Sequence, residues 1–592
     1  MNNSNDKVLF WASFLTLIAA GMGFSIRGDI LNQWGRDFGF TQTELGEITG
    51  MGLMGFGLTI IFFSFFADVV GYGKLMVIAF LLHAASMIIT LAAPLSFQQF
   101  GKGGAYWSLY IGQFCFSLAN GTCEAVINPL TATLFPRNRT HWLNILHAGW
   151  PGGLVLGALV NLLLNQIPGG VGWTVRWGII LAPIVLYGLM MLGRRFPTSE
   201  AKEHGVGLRE MMGQLGLLGT AVAVILVGLW FSKDIFPSFF GLPGWVGWIA
   251  ALALWLGFGW ATEFTLGHWM LAFLLLLHAM IGYVELGTDN WIQDITKAVL
   301  PDPNVSLMAF IWTNVLMFTL RFFAGPIVHQ ISPIGLLFVS AVLGTTGLLL
   351  LGMPATNTTW LWMGAVTVYG IGKTFYWPTM LGVISERFPR GGALALGFCG
   401  GVGMLSAGIL GGPVIGYKQD YAATTDLRQK APATYDRYKT DTSQIPPLPF
   451  LPPIAGLDNG KVGVLNDYMA IREKEQQGSL SEEQAKLQLQ KDLELLTREG
   501  RKSEELEKRL QWWETEGQPH AVTDYPKVNE ARLHGGKTAL TWTAAVPAAM
   551  AVGYLLLIIY FRLIGGYKAE VLVGHAAEDE KFTGGTEGPG EG

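Results

Sequence analysis

The segment Asn120–Pro136, NGTCEAVINPLTATLFP, places one carboxylate inside a long apolar run. Glu124 has Asn120 and Asn128 four residues to either side, and on a helix this spacing brings the three side chains to one face. An ionisable side chain at membrane depth is costly and normally faces a bundle interior or a water-filled cavity. The segment therefore predicts a membrane helix with a functional polar face.

The composition extends this prediction to the whole chain. Of the 592 residues, 51% are hydrophobic and 14% are charged, which excludes a disordered chain. About fourteen apolar stretches are long enough to cross a bilayer core of roughly 30 Å. The sequence therefore predicts an all-α polytopic membrane protein, whose first span, after the short segment MNNSNDK, is expected to be retained rather than cleaved.

The cysteine spacing, the absence of catalytic motifs and the net charge argue against several function classes. The three cysteines lie in apolar runs and match neither a disulfide framework nor metal-ligand spacing. Hydrolase, zincin, kinase and paired-cysteine motifs are not found, so neither an enzyme nor a bound metal or cofactor is predicted. The net charge of -4 gives no indication of a nucleic-acid partner.

The expected organisation has six parts. They are a six-helix bundle (1–195), a central linker with an extra transmembrane hairpin (196–263), five helices of a second bundle (264–416), a soluble and mostly helical insertion (417–537), the last transmembrane helix (538–565) and a disordered tail (566–592). Gly, Trp and Lys233 interrupt the two apolar runs of the hairpin.

Lysine and arginine are concentrated in one set of loops, which predicts a cytoplasmic N-terminus in a cell (inner) membrane. Parity then places the 417–537 insertion outside the cytoplasm. The insertion has a Pro-rich run at 445–453 and a charged helical stretch at about 467–513, whose leucine spacing suggests a helical hairpin or short coiled coil. A spacer and a protein-binding domain both remain possible roles for it.

Two pairs of segments echo each other between the halves. NGTCEAVINP and GIGKTFYWP each have a charged residue five positions before a proline, Glu124 and Lys373, and each leads to an FPR sequence. GFSIRGD, ending at Asp29, is similarly matched by GYVELGTD, ending at Asp289. Self-similarity of this kind is typical of transporters built from two repeated bundles around a midplane site.

The loop FFADVVGYGK, Phe65–Lys74, resembles the signature between the second and third helices of the major facilitator superfamily. The order of RGDILNQW, CEAVINP and LNILHAGWPGG is similar to that of fucose/proton symporters and their glucose/galactose relatives. The resemblance implies a major facilitator fold of two six-helix bundles. It covers both bundles but not the central hairpin, the insertion or the tail.

This resemblance implies roles for individual residues. Asp29 and Glu124 match the carboxylates that couple proton movement to sugar binding, and Asn128 matches an asparagine beside the fourth-helix proline. Asn144 matches one of the sugar-contacting amides of the fifth helix, but His147 and Trp150 stand where further amides are expected, so the sugar specificity is left open.

Each charged candidate has a second interpretation. Glu124 is either a proton carrier or half of a structural ion pair with Lys373. Glu285 and Asp289 lie four residues apart on one face, so one of them is expected to hold a proton or to pair with Lys373, with a cation site as the rival. His147 is either a proton relay or a packing histidine. The glycine run Gly397–Gly412 is expected to permit close helix packing.

The sequence therefore predicts a secondary transporter that moves a sugar-like solute with protons by alternating access through the lipid bilayer. The predicted substrate-binding residues are Asn32, Gln33, Asn120, Asn128, Asn144, His147, Glu285, Asp289, Asn290, Lys373 and Trp377. Asp68, Gly71 and Lys74 are predicted to form a cytoplasmic gate through opposite charges. The alternatives are a transporter of an organic anion or drug-like solute, and a sensor or assembly factor that acts through the insertion.

Overall fold

The computed structural model describes residues 4–38, 40, 42–167, 171–300, 303–441, 443, 446–476, 508–509 and 511–570. Within these ranges the side chains of Asp29, Asn32 and Arg36 lie outside the description. The described secondary structure is almost wholly helical, as the apolar pattern predicts.

The N-terminal half begins with long apolar helices joined by short turns. Its helices are α1 (Ser4–Phe38), α2 (Gln42–Val70), α3 (Tyr72–Leu91), α4 (Ala93–Leu134), α5 (Arg139–Asn165), α6 (Trp173–Gly178), α7 (Leu181–Met191) and the short α8 (Glu200–Glu203). α1 packs on α5 and α7, and α4 packs on α2 and α3.

The rest of the chain forms the hairpin, the second bundle and the insertion. Its helices are α9 (Leu208–Trp230), α10 (Gly244–Ala261), α11 (Trp269–Val299), α12 (Pro303–Arg321), α13 (Ala324–Ile331), α14 (Pro333–Gly352), α15 (Thr359–Lys373), α16 (Tyr376–Arg387), α17 (Gly392–Ser406), α18 (Gly412–Lys430), α19 (Pro432–Tyr438), α20 (Asn459–Gln476), α21 (Gln518–Thr543) and α22 (Ala545–Leu563). A π-helical segment, Phe231–Phe239, continues α9.

Eleven helices of the described chain are long and apolar enough to cross a membrane, and the bent pair of α12 and α13 is a twelfth candidate. Both helices of the central hairpin, Leu208–Phe239 and Gly244–Ala261, are among the eleven. The sequence predicted about fourteen spans: α4 and the pair α15–α16 lie at the other two predicted positions but are not among these candidates. Each of these two segments contains a predicted site residue, Glu124 in α4 and Lys373 in α15.

The two bundles meet along two seams. α2 packs on α17, and α5 packs on α12 and α16. Glycines allow close approach there: a Cβ at Gly57 would lie 3.0 Å from the Gly401 carbonyl oxygen, and one at Gly152 would lie 2.9 Å from the Phe318 ring. Gly403 and Gly411 in the same run contact α11 in a similar way. The predicted role of the Gly397–Gly412 run in close helix packing is confirmed.

The central hairpin and the insertion both attach to the second bundle. α9 packs on α11 and α17. At the far end of the hairpin, Lys233 Nζ donates a hydrogen bond of 2.7 Å to the Pro446 carbonyl of the insertion. The two additions to the fold therefore touch each other on one side of the molecule.

The insertion differs from its predicted bounds. The boundaries at 416/417 and 537/538 fall inside α18 and α21, because these two helices continue past the apolar spans and pack against each other. A small core that includes Leu427, Tyr438, Leu465, Trp513 and Val528 lies around them. The Pro-rich run forms turns and bends over 446–453, whereas the leucine-spaced segment at 477–507 lies outside the described residues.

The predicted disordered tail needs a correction at its start. Tyr567 is 9% exposed, and its hydroxyl donates a hydrogen bond of 2.8 Å to Glu386 Oε2. Glu570 Oε1 forms an ion pair of 3.0 Å with Arg387 Nη2. Residues 567–570 therefore pack on the end of α16, because a carboxylate and a guanidinium there bind them. Residues 571–592 lie outside the described part.

Candidate functional site

Glu124 lies near the centre of the N-terminal bundle and is 2% exposed. Asn128 Nδ2 donates hydrogen bonds of 2.7 Å to Glu124 Oε2 and 3.1 Å to the Glu124 carbonyl. The spacing of four residues on α4 produces this contact, as the sequence pattern predicts. Among the described side chains no cation forms an ion pair with Glu124, so its neighbour is a neutral amide.

His147 on α5 extends this contact toward the other bundle. Its Nε2 lies 2.9 Å from Asn128 Oδ1. Since the Asn128 amide nitrogen faces the carboxylate, the amide oxygen is the acceptor, and His147 Nε2 must have a hydrogen to donate. Glu124, Asn128 and His147 thus form one hydrogen-bonded row from α4 to α5.

Arg321, at the end of α12, connects this row to the second bundle. Its Nη1 donates to the His147 carbonyl at 2.6 Å and its Nη2 to Glu285 Oε1 at 3.2 Å. Its Nε donates to the Thr374 carbonyl at 2.8 Å, and the side chain is 2% exposed. All three nitrogens of the guanidinium are therefore engaged at the seam between α5 and the second bundle.

Glu285 has one oxygen bound and one free. Oε1 accepts from Arg321, whereas Oε2 is shielded from solvent and has no hydrogen-bond partner among the described residues. A buried oxygen without a donor is costly when the carboxylate is charged. Oε2 is consequently the atom of this pair that is open to a proton or to a hydroxyl of a solute.

Asp289, one helical turn further along α11, forms an ion pair with Lys373. The ammonium also lies 5.6 Å from the centroid of the Tyr369 ring, and the Tyr369 hydroxyl donates to the Val284 carbonyl at 3.0 Å. Glu285 and Asp289 each pair with a cation of their own, Arg321 and Lys373 respectively, and these charges offset the expected repulsion between the two acids. The alternative pair between Lys373 and Glu124 is not formed.

The remaining predicted residues lie in several places. Trp377 is 4% exposed and its ring lies 4.5 Å from that of His278, whose two nitrogens have no partner among the described residues. Asn144 Nδ2 donates across the bundle seam to Thr379 Oγ1 at 3.1 Å.

Gln33 is half-buried and Asn290 is exposed. The side chains of the predicted residues Asp29 and Asn32 lie outside the described part.

Asn120 is separated from the other members of the predicted polar face. Its Oδ1 lies 3.0 Å from His83 Nε2, and His83 Nδ1 lies 2.8 Å from the Tyr187 hydroxyl. These partners belong to α3 and α7 inside the N-terminal bundle. The polar face of α4 therefore divides, with Asn128 directed to the seam and Asn120 directed into the bundle.

The predicted gate lies at the end of the bundles where α2 meets α3. Asp68 Oδ2 accepts a hydrogen bond of 3.0 Å from the Ala393 backbone N–H, and its Oδ1 accepts one of 3.2 Å from the Tyr72 hydroxyl. Gly71 has φ 94°, a conformation that favours glycine. Lys74 is exposed and forms no described ion pair with Asp68. Asp68 therefore binds the start of α17 directly, and the expected attraction between Asp68 and Lys74 is replaced by this contact.

Further contacts join the two bundles at the same end. Arg139 Nη1 donates to the Ser385 carbonyl at 2.6 Å, and Arg139 also pairs with Glu200. The Thr140 hydroxyl donates to Glu386 Oε1 at 2.7 Å. These contacts close the gate end of the seam.

A family model described as Major Facilitator Superfamily matches residues 10–412. The chain belongs to this superfamily. It is therefore a multi-pass membrane transporter with the all-α fold that the sequence pattern predicts. The matched range includes both seams, the central charged residues and the gate.

Individual relatives are more distant. The cis,cis-muconate transport protein of Acinetobacter baylyi is 28% identical over 185 residues, which are 31% of this chain and 42% of that protein, so less than half of the relative is spanned. The structure of the proton:xylose symporter XylE of E. coli has a TM-score of 0.51 at 14% identity and covers 69% of this chain and 87% of XylE. The E. coli fucose:proton symporter has a TM-score of 0.48 at 15% identity, with coverages of 70% and 92%. The likeness to XylE concerns the fold alone.

Sequence reasoning missed two buried polar residues near the centre, Arg321 and His278, and one inside the N-terminal bundle, His83. Arg321, His278 and His83 are buried, and each lies in an apolar run. Arg321 could have been identified from the sequence, because a guanidinium at membrane depth is costly, as the carboxylate of Glu124 is.

Proposed function

We propose that this transporter moves a neutral polyhydroxy solute of the monosaccharide class together with protons. The observation that supports the proposal is the row Glu124–Asn128–His147, which meets Arg321 and Glu285 at the seam between the bundles. A carboxylate without a cationic partner stands at one end of this row. At the other end, a carboxylate oxygen has no donor.

The charges of the site favour a neutral solute. At the seam the described acids are Glu124, Glu285 and Asp289, and the described cations are Arg321 and Lys373, each of which is paired with an acid. Both seam cations are thus already neutralised, and the charge left beside them is that of Glu124. A proton neutralises that charge, whereas an anionic solute would add to it.

In the proposed mechanism, Glu124 takes a proton when the cavity is open to one side and releases it when the cavity is open to the other. Protonation gives Glu124 a hydrogen to donate while its carbonyl oxygen can still accept, which alters its contact with Asn128 and, through it, with His147. Hydroxyl groups of the solute then bind the amide and imidazole groups of this row. Asp29 is proposed as the second proton-linked acid.

Rocking of the bundles completes the cycle. The seam contacts of Arg321 and the gate contacts of Asp68 and Glu386 join opposite halves, so both sets must break and re-form as access alternates. We propose that the gate end faces the cytoplasm, which is supported by the arginines there, including Arg139, Arg194, Arg387 and Arg390. The insertion then lies outside the cytoplasm of an inner-membrane protein.

The test uses the full chain in liposomes loaded with a pH-sensitive dye. We expect a monosaccharide from a panel of D-xylose, D-glucose, D-galactose and L-fucose to drive proton entry with the wild type. Glu124→Gln should lose this proton entry and solute accumulation but retain exchange of labelled solute. Glu263→Gln is the matched control, because Glu263 forms an exposed ion pair with Arg209. Proton entry that persists in Glu124→Gln would refute the role of Glu124.

Transport of an organic anion is the second candidate. It is supported by the likeness to the cis,cis-muconate transport protein and by the two cations Arg321 and Lys373 at the centre. In that case solute binding must displace Glu285 or Asp289 from its cation. Uptake of cis,cis-muconate that requires Lys373 and is unaffected by the sugar panel would favour this function over sugar symport.

A further inference from the structure

A large cavity lies on the side of the second bundle where the insertion is attached. It is formed by the ends of α11 and α18, by α21, and by α20 of the insertion, and its volume is about 760 Å³. Ligand sites in proteins commonly have volumes of roughly 300–1,000 Å³. We call it the insertion cavity. Trp291, in its wall, follows Asp289 by two residues on α11, so the cavity adjoins the central site without being part of it.

The wall of the insertion cavity contains polar groups that have no hydrogen-bond partner among the described residues. Gln419 Nε2 is shielded from solvent and has no hydrogen-bond partner among the described residues. Asn466 and Asn529 are partly buried in the same wall, and no described hydrogen bond involves their side chains. Only the Gln419 Nε2 atom is shielded from water, so its lack of a described partner is costly, whereas water reaches Asn466 and Asn529, whose amides offer donors and acceptors to a molecule in the cavity.

The chemistry of the wall indicates what kind of solute binds. Amide side chains both donate and accept hydrogen bonds, as hydroxyl groups do. The charged wall residues balance, with Asp294 and Asp420 against Lys297 and Arg532. Trp291 and Tyr525 add aromatic surface with a polar edge. A neutral polyhydroxy compound satisfies all three features, whereas an ion of either sign would meet a like charge.

We propose that the insertion cavity is a second binding site for a neutral polyhydroxy solute, separate from the central site. The class of ligand follows from the cavity wall. That this ligand is also the transported solute rests on the proposed function. The insertion then has a binding role in the transporter: it closes one wall of the cavity with α20, which the bundles alone do not supply.

The site is tested by protection of a thiol in the full-length transporter in liposomes. Asn529→Cys places a thiol in the cavity wall, and Lys527→Cys places one on the same helix outside it. Cys115→Ala lowers the background, since Cys123 and Cys399 are buried. The labelling rate with a maleimide is measured at rising concentrations of D-xylose, D-glucose and maltose.

We expect at least one of these sugars to slow labelling of Asn529→Cys by about tenfold at ten times its dissociation constant. Lys527→Cys should be unaffected. Gln419→Leu, which keeps the size of the side chain, should raise the half-protecting concentration about three- to tenfold through the loss of one hydrogen bond. An unchanged concentration would remove Gln419 from the site.

Repeating the labelling in a protein that also carries Glu124→Gln distinguishes this proposal from the proposed function. Protection should persist when Glu124→Gln is added, because the insertion cavity does not include Glu124. Protection that disappears with Glu124→Gln would overturn the separate site, since it would then report a movement driven from the centre. Protection without any sugar transport would refute the proposed function and leave the cavity site standing. No protection by any of the three sugars, in either background, would overturn the cavity site.

Discussion

The two halves of the transporter hold their central acids in different ways, whereas at the gate end Asp68 and Glu386 both accept hydrogen bonds from neutral donors. In the N-terminal half, Glu124 accepts a hydrogen bond from the neutral amide of Asn128. In the C-terminal half, Glu285 and Asp289 are paired with the cations Arg321 and Lys373. An acid held by neutral donors exchanges a proton without leaving a buried cation alone. We infer from this difference that the first half is suited to proton exchange and the second to structural ion pairs.

The largest expected effect is that of Arg321→Met. This change leaves the buried carboxylate of Glu285 uncompensated, and breaking such a pair costs about 3–5 kcal/mol. Thermal unfolding in detergent should show this loss. Adding Glu285→Gln should recover most of it, because the uncompensated charge is then removed. A double variant no more stable than the single one would show that the arginine acts through its bonds to His147 and Thr374 instead.

Lys373→Met should be less severe. Its partner Asp289 is 26% exposed at the side chain, so water compensates part of the charge. We expect a loss of about 1–3 kcal/mol, below that of Arg321→Met, with recovery by Asp289→Asn. Equal losses in the two pairs would contradict the idea that their different burial determines their strength.

Asp68→Asn tests the hydrogen bond that joins the two halves at the gate. Replacing a carboxylate at the start of α17 by an amide should weaken the closed gate by about 0.3–1 kcal/mol. Lys74→Gln is the matched control and should have no effect, since Lys74 is exposed and forms no described bond with Asp68. The accessibility of a thiol introduced at Ser385 measures gate opening. An effect of Lys74→Gln equal to that of Asp68→Asn would restore the charge-pair gate that the sequence motif suggests.

Glu124→Gln should have the smallest effect on stability. A glutamine oxygen accepts from Asn128 as the carboxylate does, so the free energy of unfolding should change by less than about 1 kcal/mol. The same variant is expected to abolish proton coupling. A large loss of stability would indicate that Glu124 has a structural role like the acids of the second half, and the contrast between the halves would fail.

The hydrogen bond from Tyr567 adds a related observation outside the membrane. Burial raises the pKa of the Tyr567 phenol well above its usual range, and the neighbouring Glu386 carboxylate raises it further. The hydroxyl therefore keeps its proton and donates to Glu386 at physiological pH. The sequence gives no sign of this contact, because it joins residues 181 positions apart in a segment whose composition suggests disorder.

The sequence by itself determined the helical class and the contact between Glu124 and Asn128, and it predicted the two apolar helices of the central hairpin. Each of these depends on residues close together in the chain, where helical periodicity fixes which side chains meet. It also indicated membrane-depth charges at Glu124, Glu285, Asp289 and Lys373, because polar residues stand out in apolar runs.

Only the tertiary structure decided the partners. Arg321 meets His147 across 174 positions and Lys373 meets Asp289 across 84, while Asn120 turns to His83 and Asp68 to the start of α17. The partner of a buried charge depends on which helices pack together and at what rotation. That arrangement is set by shape and small-residue contacts along whole helices, such as those of Gly57 and Gly401, and spacing within a single segment does not specify it.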